Sequence, residues 1–394
     1  MRYIPRHAEK VIEISNKTFK VVFLGGPRQV GKTTVLKRLA QKNKLNYLTL
    51  DDLNQRQLAK SDPALFLQQV KRPLIIDEIQ YAPELFPQIK KLVDENKENG
   101  QFWLTGSQQF GLIKNIQETL AGRVAILNIL GLCRREKNLR KINEKIFEQP
   151  RISKLFEEIF EGSFPVFQQR VSPDRDIYFN SYIQTYLDRD LVDLFGINKT
   201  SEFNRFLQVC AARTGQVLNH SDLARDSGIS PTTAIEWLNI LEGTSQIFLL
   251  RPYYPNITKR IIKAPKLYFI DTGLASYLTK WNTSENLQSG FMAGAMFETY
   301  IVGEIIKKYI NRGKIPPVFY LRDKEGHEAD LLIEDDGLNL VEIKLTASVK
   351  DADMKNLDYF SSKSDKFKSK TIVSLIESSI TAGKSIKYIP YTSI

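Results

Sequence analysis

The sequence predicts a multidomain α/β chain whose first part is built on a parallel sheet. Three observations carry that expectation. Short apolar runs alternate with helical patterns over the first 130 residues. A glycine-rich loop joins the first such run to the first helix, and a second pair of strand-like runs rich in charge lies near the carboxyl end. At 394 residues the chain exceeds one ordinary core, so two to four domains are expected.

Five strands are expected in the first part: Val21–Leu24, Asn46–Leu50, Leu74–Asp77, Phe102–Thr105 and Val124–Leu130. The loop Gly26-Pro-Arg-Gln-Val-Gly31-Lys32-Thr33 follows the first and opens a helix from Lys32 to Gln41. Its glycines let backbone N–H groups converge on phosphates, Lys32 reaches the β/γ oxygens, and the Thr33 hydroxyl holds Mg²⁺. Arg28 and Thr34 are further candidates for nucleotide contact. The third strand closes on Asp77 and Glu78, with Asp77 suited to the metal and Glu78 to orienting or deprotonating a water. Glycine loops between strand and helix also occur without nucleotide. The full motif, followed by a strand ending in Asp-Glu, points instead to a P-loop nucleoside triphosphatase domain at residues 1–135 that binds ATP and Mg²⁺.

In chain order an extra strand, ending at Asp51-Asp52, falls between the phosphate loop and the Asp77 strand. Together with Glu78 it suggests the additional-strand, catalytic-glutamate branch of P-loop ATPases. Thr105 and Ser107, in Thr105-Gly106-Ser107 after the fourth strand, are candidates to sense the γ-phosphate or hold the attacking water; an ordinary strand-end turn is the competing explanation. Arg123, in Ala121-Gly122-Arg123, can stabilise the transferring phosphoryl in cis or across a subunit boundary, and a surface arginine looks the same in sequence.

Residues 136–200 read as a helical linker or lid, broken at Gly162-Ser-Phe-Pro165 and resumed over Tyr182–Leu194. Within it Asp188-Arg189-Asp190 fits a solvated, salt-bridged face or an inter-domain latch. Residues 201–285 carry a helix-turn-helix. One short helix begins near Asn219, Gly228 supplies the turn, and Ser230-Pro231 starts a second helix over Thr232–Glu242. Leu223, Ala224, Ile229, Ile235, Leu238 and Leu241 are the expected core. Ile247–Leu250 and Lys266–Ile270 read as the strands of a wing. Arg251 to Lys266 holds five Lys/Arg, no acid and an interleaved Tyr253-Tyr254, which suits phosphate contacts. Winged helices also dock proteins, and the second helix offers no Arg or Lys to read bases.

Residues 286–394 predict an α/β domain like a restriction endonuclease. Two strands, Glu-Ala-Asp330-Leu-Leu-Ile and Leu340-Val-Glu342-Ile-Lys344, meet across a turn at Asp335-Asp336-Gly337. They bring together Asp330 and Glu342 for Mg²⁺ and Lys344 to orient a water or steady developing charge. Glu298, on a preceding helix, adds a further carboxylate. A surface hairpin of alternating charge is the plainer alternative.

The formal charge is +11, and its distribution is uneven: residues 1–135 hold 22 Lys/Arg against 12 Asp/Glu, the remainder 34 against 33. The basic excess suits nucleic acid or an acidic partner, and solubility alone also accounts for it. No run has the length of a membrane span, Met1-Arg-Tyr-Ile-Pro-Arg lacks a signal-peptide core, and Cys133 and Cys210 have no metal-ligand spacing. A cytoplasmic protein with two reduced thiols and no membrane partner is expected.

Taken together, these motifs resemble prokaryotic AAA-type ATPases that carry a C-terminal domain of unknown function, numbered 4143. The resemblance spans nearly the whole chain. It rests on Gly-Pro-Arg-Gln-Val-Gly-Lys-Thr-Thr, Ile-Ile-Asp-Glu-Ile-Gln, Leu-Thr-Gly-Ser, Leu-Ala-Gly-Arg, Gly-Ser-Phe-Pro, Tyr-Ile-Gln-Thr-Tyr-Leu-Asp-Arg-Asp, Tyr-Phe-Ile-Asp-Thr-Gly-Leu and Glu-Ala-Asp…Val-Glu-Ile-Lys. It implies an ATPase domain, a winged helix and a nuclease-like end. The chain departs mildly at Ala329, where nuclease motifs often have Pro, and at Gly162-Ser163, where the family tends to pair glycines. Two functions follow as expectations. One is an ATP-driven motor or switch on DNA that cuts at Asp330, Glu342 and Lys344, as a homo-oligomer or with a protein partner. The other is an ATP-dependent switch whose later domains bind protein or DNA without cleavage.

Overall fold

In the computed structural model, which describes residues 3–106, 110–138, 151–185, 199–254, 263–383 and 385–394, the apolar runs of the first part form one sheet. The chain divides into two compact units. One gathers Met1–Arg140 with Gly243–Ser245 and Lys307–Ile315; the other gathers Lys141–Glu242, Gln246–Ile306 and Pro316–Ile394.

The sheet of the first unit contains β1 (Val21–Gly25), β2 (Asn46–Thr49), β3 (Leu74–Asp77), β4 (Phe102–Thr105) and β5 (Val124–Asn128). All neighbours are parallel, in the order β2-β3-β4-β1-β5. β1, β3 and β4 are buried at every position, because a parallel sheet is covered on both faces by its crossover helices. Phe23, Ile76 and Leu104 pack there with Phe86, Ile89 and Ile116. At the two edges, β2 is only part-buried and β5 alternates. In space the strand between β1 and β3 is β4; β2, the extra strand in chain order, lies at the edge beside β3. Parallel pairing brings the carboxyl ends of the strands to one rim, so Gly25, Asp77 and Thr105 meet there although far apart in sequence.

In the second unit three helices, Thr200–Ala212, His220–Ser227 and Pro231–Gly243, precede an antiparallel pair, β6 (Ile247–Leu250) and β7 (Lys266–Phe269). Asn219 caps the middle helix through its side chain, and Gly228 ends it at φ 71°. Leu223, Ala224, Leu238 and Leu241 are buried as expected. Ile235 is not: it is 44 % exposed. The last helix buries Ala234, Trp237, Leu238 and Leu241, a stripe at i, i+3, i+4 and i+7 that leaves Ile235 to one side. Trp237 instead fills the core against Phe203 and Phe206.

Two quoted motifs of this unit meet. Gly162 ends the helix Ile152–Glu161 at φ 80°, and a Cβ there would lie 2.4 Å from Asp271 Oδ1. Ser163 donates to Asp271 Oδ2 through both its backbone N–H and its hydroxyl, each at 2.7 Å. Asp271 also caps the helix Thr272–Leu278. The helix predicted over Tyr182–Leu194 is described only to Thr185, and Asp188-Arg189-Asp190 lies outside the described residues.

The carboxyl-terminal sheet comprises β8 (Val318–Arg322), β9 (Glu328–Glu334), β10 (Leu338–Ile343), β11 (Phe367–Ser374), β12 (Ile380–Ala382) and β13 (Ile386–Pro390). Its order is β12-β13-β11-β10-β9-β8, with β10-β11 and β11-β13 parallel and the rest antiparallel. The helix Asp351–Lys363 covers one face through Met354, Leu357 and Phe360. The β9-β10 turn runs through Asp336 and Gly337, both at positive φ.

Candidate functional site

The phosphate loop leaves β1 at Gly25. Gly26 has φ 145°, and a Cβ on it would lie 2.1 Å from the Ile129 carbonyl oxygen, so no other residue fits. Gly31, at φ 95°, starts the helix Lys32–Asn43 in the left-handed region. Lys32 is buried and donates to the carbonyls of Gly26 at 2.9 Å and Pro27 at 2.8 Å, inside the curl of the loop. Arg28 is half-buried on the loop and Thr34 is exposed on the first helical turn.

Three hydroxyls converge on Asp77. Thr33 Oγ1 lies 3.1 Å from Oδ1 and 2.9 Å from Oδ2. Tyr47 donates to Oδ2 at 2.7 Å, and Thr105 donates to Oδ1. Burial, together with Asp77, pushes the Tyr47 phenol well above its ordinary range, so it stays a donor. A hydroxyl and a carboxylate in contact at this rim are hard oxygen donors of the kind Mg²⁺ takes. Glu78 follows at φ 57°, its N–H bonded to Thr105 Oγ1 at 3.2 Å and its carboxylate accepting from Gln80 Nε2. Thr105 is therefore engaged with Asp77 and Glu78. Ser107 lies outside the described residues.

Arg123 is elsewhere. It precedes β5, whose start pairs with Val21 while its end pairs with Gly25. Five residues at about 3.3 Å each separate it from the loop's rim, roughly 16 Å. Its guanidinium is paired with Asp94, at 2.5 and 3.0 Å. The expectation that Arg123 acts in cis is corrected on this ground; a surface arginine paired with Asp94 fits its position, and so does action across a subunit boundary.

A second polar cluster of this unit escaped the sequence reading. Glu136 is fully buried; its Oε1 forms an ion pair with the Arg6 guanidinium, 3.2 Å from Nε, and the carboxylate accepts from the N–H groups of His7 (2.8 Å) and Cys133 (3.0 Å) and from Asn311 Nδ2 at 3.1 Å. Arg6 in turn donates to the carbonyls of Val30 in the phosphate loop and Leu130. His7, Cys133 and Glu136 have ligand atoms within 4.8 Å of one another, the one such trio among the described residues. With both Glu136 oxygens already bonded and a guanidinium against them, the trio fits a structural hub better than an ion.

In the second unit Asp330 and Glu342 lie side by side where the β9-β10 ladder ends. The last ladder pair is Leu331 with Val341; beyond it, Ile343 N–H donates to Asp330 Oδ2 at 2.8 Å instead of to a main-chain carbonyl. Lys344 Nζ is 2.7 Å from Glu342 Oε1. Burial first, then the neighbouring Asp330, pushes Glu342 up to about 7. Glu298, on the helix Ala293–Ile310, is pushed up to about 7 by the same two causes.

Three residues not expected complete this cluster. Lys266 Nζ lies 2.6 Å from Glu328 Oε1, 3.2 Å from Glu298 Oε1 and 3.9 Å from Asp330 Oδ1. Tyr268 donates to Glu298 Oε1 at 2.5 Å. Burial alone would lower the Lys266 pKa, but the surrounding carboxylates of Glu298, Asp330 and Glu328 outweigh it and hold the ammonium charged. Lys266 is thus not a surface phosphate contact, as the basic run Arg251–Lys266 had suggested; it is buried. Nor do Glu298, Asp330 and Glu342 form a trio within 4.8 Å, because an ammonium stands among the first two and a backbone N–H holds Asp330. Glu328 was legible by period: it shares a strand face with Asp330 two residues on. Lys266 and Tyr268 share a face of β7 for the same reason, but nothing in sequence says that β7 approaches β9.

A glycine loop that curls around a lysine, and a carboxylate at the end of a nearby parallel strand, define the first unit as a P-loop domain. Residues 18–138 match the family model described as "AAA domain". Residues 152–285 match "Domain of unknown function (DUF8612)", and residues 293–394 match "Domain of unknown function (DUF4143)". Two relatives are each 31% identical over 315 residues, covering 80% of this chain and 67% of their own length: uncharacterized protein Rv2008c of Mycobacterium tuberculosis and uncharacterized protein Mb2031c of Mycobacterium bovis. Among solved structures, the Walker-type ATPase of Pyrococcus abyssi is 14% identical, with a TM-score of 0.43 over 69% of this chain and 94% of that one. The chain belongs to the AAA-type ATPase family that ends in a DUF4143 domain. No helix among the described residues is long and apolar enough to cross a membrane.

Proposed function

We propose that this protein is a Mg²⁺-dependent ATPase working as a motor or switch on DNA, with a metal-dependent nuclease site at its carboxyl end. The contact of Thr33 Oγ1 with both Asp77 oxygens, beside the loop that carries Lys32, supports this reading more than any other observation. Gly26, Arg28, Gly31, Lys32, Thr33 and Thr34 cradle the nucleotide through backbone N–H groups and side chains. Bound Mg²⁺ supplies charge neutralisation of the β- and γ-phosphates, and Thr33 and Asp77 are the residues that would hold it. Glu78, turned by its left-handed backbone and steadied by Gln80, orients the attacking water. Arg123 of a second copy stabilises the transferring phosphoryl in an oligomer. Ser107 is left as the γ-phosphate sensor, since Thr105 is engaged with Asp77. Purified protein should hydrolyse ATP, and Lys32→Ala should abolish turnover; undiminished hydrolysis would sink the assignment.

The remaining parts are proposed as a helical lid at 136–200, a winged helix at 201–285 and a nuclease-like domain at 286–394. The helices followed by the β6-β7 pair support the second, and the juxtaposed Asp330, Glu342 and Lys344 support the third. The basic excess of residues 1–135 favours nucleic acid as the partner. Mg²⁺- or Mn²⁺-dependent nicking of single-stranded, duplex or branched DNA, lost in Asp330→Ala and Glu342→Ala, is the expected result. A second reading, binding without cleavage, is favoured by the Lys266 ammonium within the carboxylate cluster. No cleavage across the panel, with or without ATP, would select it.

A further inference from the structure

We propose that Lys266 is the resident cation of the carboxyl-terminal carboxylate cluster, so that a divalent metal enters only by displacing its ammonium. The inference deepens the nuclease reading and rests on it for the identity of the site. It stands on geometry. Lys266 Nζ contacts Glu328 at 2.6 Å and Glu298 at 3.2 Å and lies 3.9 Å from Asp330, so three carboxylates surround one ammonium and their oxygens must draw together before an ion could take its place.

The lysine comes from a different element than its partners. Glu328 and Asp330 lie on β9 and Glu298 on the helix Ala293–Ile310, whereas Lys266 begins β7, in the antiparallel pair that follows the three helices. Its side chain is 4 % exposed, so its charge is screened by carboxylates rather than by water. Tyr268, two residues on and on the same strand face, donates to Glu298 and fixes that carboxylate toward the ammonium. The other half of the cluster is closed as well: Ile343 N–H holds Asp330 Oδ2 and Lys344 holds Glu342 Oε1. Four carboxylates are thus met by two ammonium groups and, at Glu328 Oε2, by the Arg322 guanidinium at 3.7 Å; Lys266 is the cation that no hairpin spacing supplies. An ion bridging Asp330 to Glu298 or Glu328 would put two positive charges at contact distance, which the cluster relieves by releasing Lys266.

The test is a Mn²⁺ titration of the nucleotide-free full-length chain, read by electron paramagnetic resonance of the free ion, with no nucleic acid present. Lys266→Met keeps the length of the stem and removes the charge. It should bind one Mn²⁺ at least about tenfold more tightly than the unaltered chain, since a unit charge about 4 Å away is gone. Adding Asp330→Asn to Lys266→Met should remove that site. Equal affinities in the unaltered chain and Lys266→Met, or a gain that survives Asp330→Asn, would overturn the proposal. Should Lys266→Met unfold, Lys266→Met with Glu328→Gln restores the balance of charge and is titrated in its place. Refolding of Lys266→Met by added Mn²⁺ supports the proposal; if neither variant folds even with Mn²⁺, Lys266 is a structural ion-pair partner and the proposal fails. Failure of the nuclease reading looks different: a chain that cuts no substrate while Lys266→Met still gains its Mn²⁺ site.

Discussion

The two polar sites of this molecule use lysine in opposite ways. At the phosphate loop, Lys32 rests on main-chain carbonyls five and six residues before it, so the position of its charge is set by a local turn. At the carboxyl-terminal cluster, Lys266 rests on three carboxylates 32 to 64 residues after it, so its position exists only when separate elements have packed. The first lysine donates to neutral main-chain carbonyls of its own loop. The second is held by full charges. A local site is thus primed for an anion, and a non-local one is neutralised from within.

The largest expected effect breaks the comparison on the phosphate side. Lys32→Ala should lower the ATP turnover number by about 10²–10³-fold or more, the cost of losing one preorganised charge contact, in a steady-state phosphate-release assay. Circular dichroism should find the fold intact, because the Lys32 ammonium donates to carbonyls of its own loop and joins no two strands of the sheet. Gly26→Ala comes next. Its Cβ collides with the Ile129 carbonyl and its φ of 145° is foreign to alanine, so thermal unfolding should reveal a loss of about 1–3 kcal/mol together with lost nucleotide binding. An unchanged melting temperature would contradict the described loop.

pH sharpens the other side. Glu298 and Glu342 have folded-state values near 7 against 4.5 in an ordinary carboxyl. The folded chain therefore binds protons more tightly than the unfolded one. Their contribution favours the fold most below pH 4.5 and is lost as the pH rises through 7. Denaturant unfolding in chelator-treated buffer should show a stability that declines over this window, and Glu342→Gln should flatten part of the decline. A slope unchanged by Glu342→Gln would sink the assignment. The smallest effects concern supporting residues. Tyr47→Phe removes one hydrogen bond from Asp77 and should cost about 0.5–1.5 kcal/mol in thermal unfolding. Ile235→Ser, on an exposed helix face, should stay within about 0.5 kcal/mol of the parent.

The limits of reading from sequence follow the same divide. The loop, Asp77 and Glu78 were legible because their spacing is local and each residue type is dictated by the turn or strand end it occupies. The helix around Pro231 was legible in extent but not in facing: Ile235 looked like core, while Trp237 fills it, packed edge-on against Phe203 and Phe206 of a helix distant in sequence. Tyr47 gave no signal, since its role depends on β2 lying beside β3. Arg123 was a candidate for its place just before the fifth strand, yet the parallel sheet sends the start of β5 to the opposite rim from the loop.

By itself the sequence determined a phosphate loop, the carboxylate strand that faces it, a helix-turn-helix pattern and a hairpin bearing Asp330, Glu342 and Lys344. Each is a short-range pattern in which backbone conformation and periodicity select the residues. Only the tertiary structure decided which charges meet. Glu136 with Arg6 and Asn311, and Lys266 with Glu298, Glu328 and Asp330, bring together residues from distant parts of the chain. Burying such charges is favourable only when their partners arrive together, and that depends on packing no local pattern records.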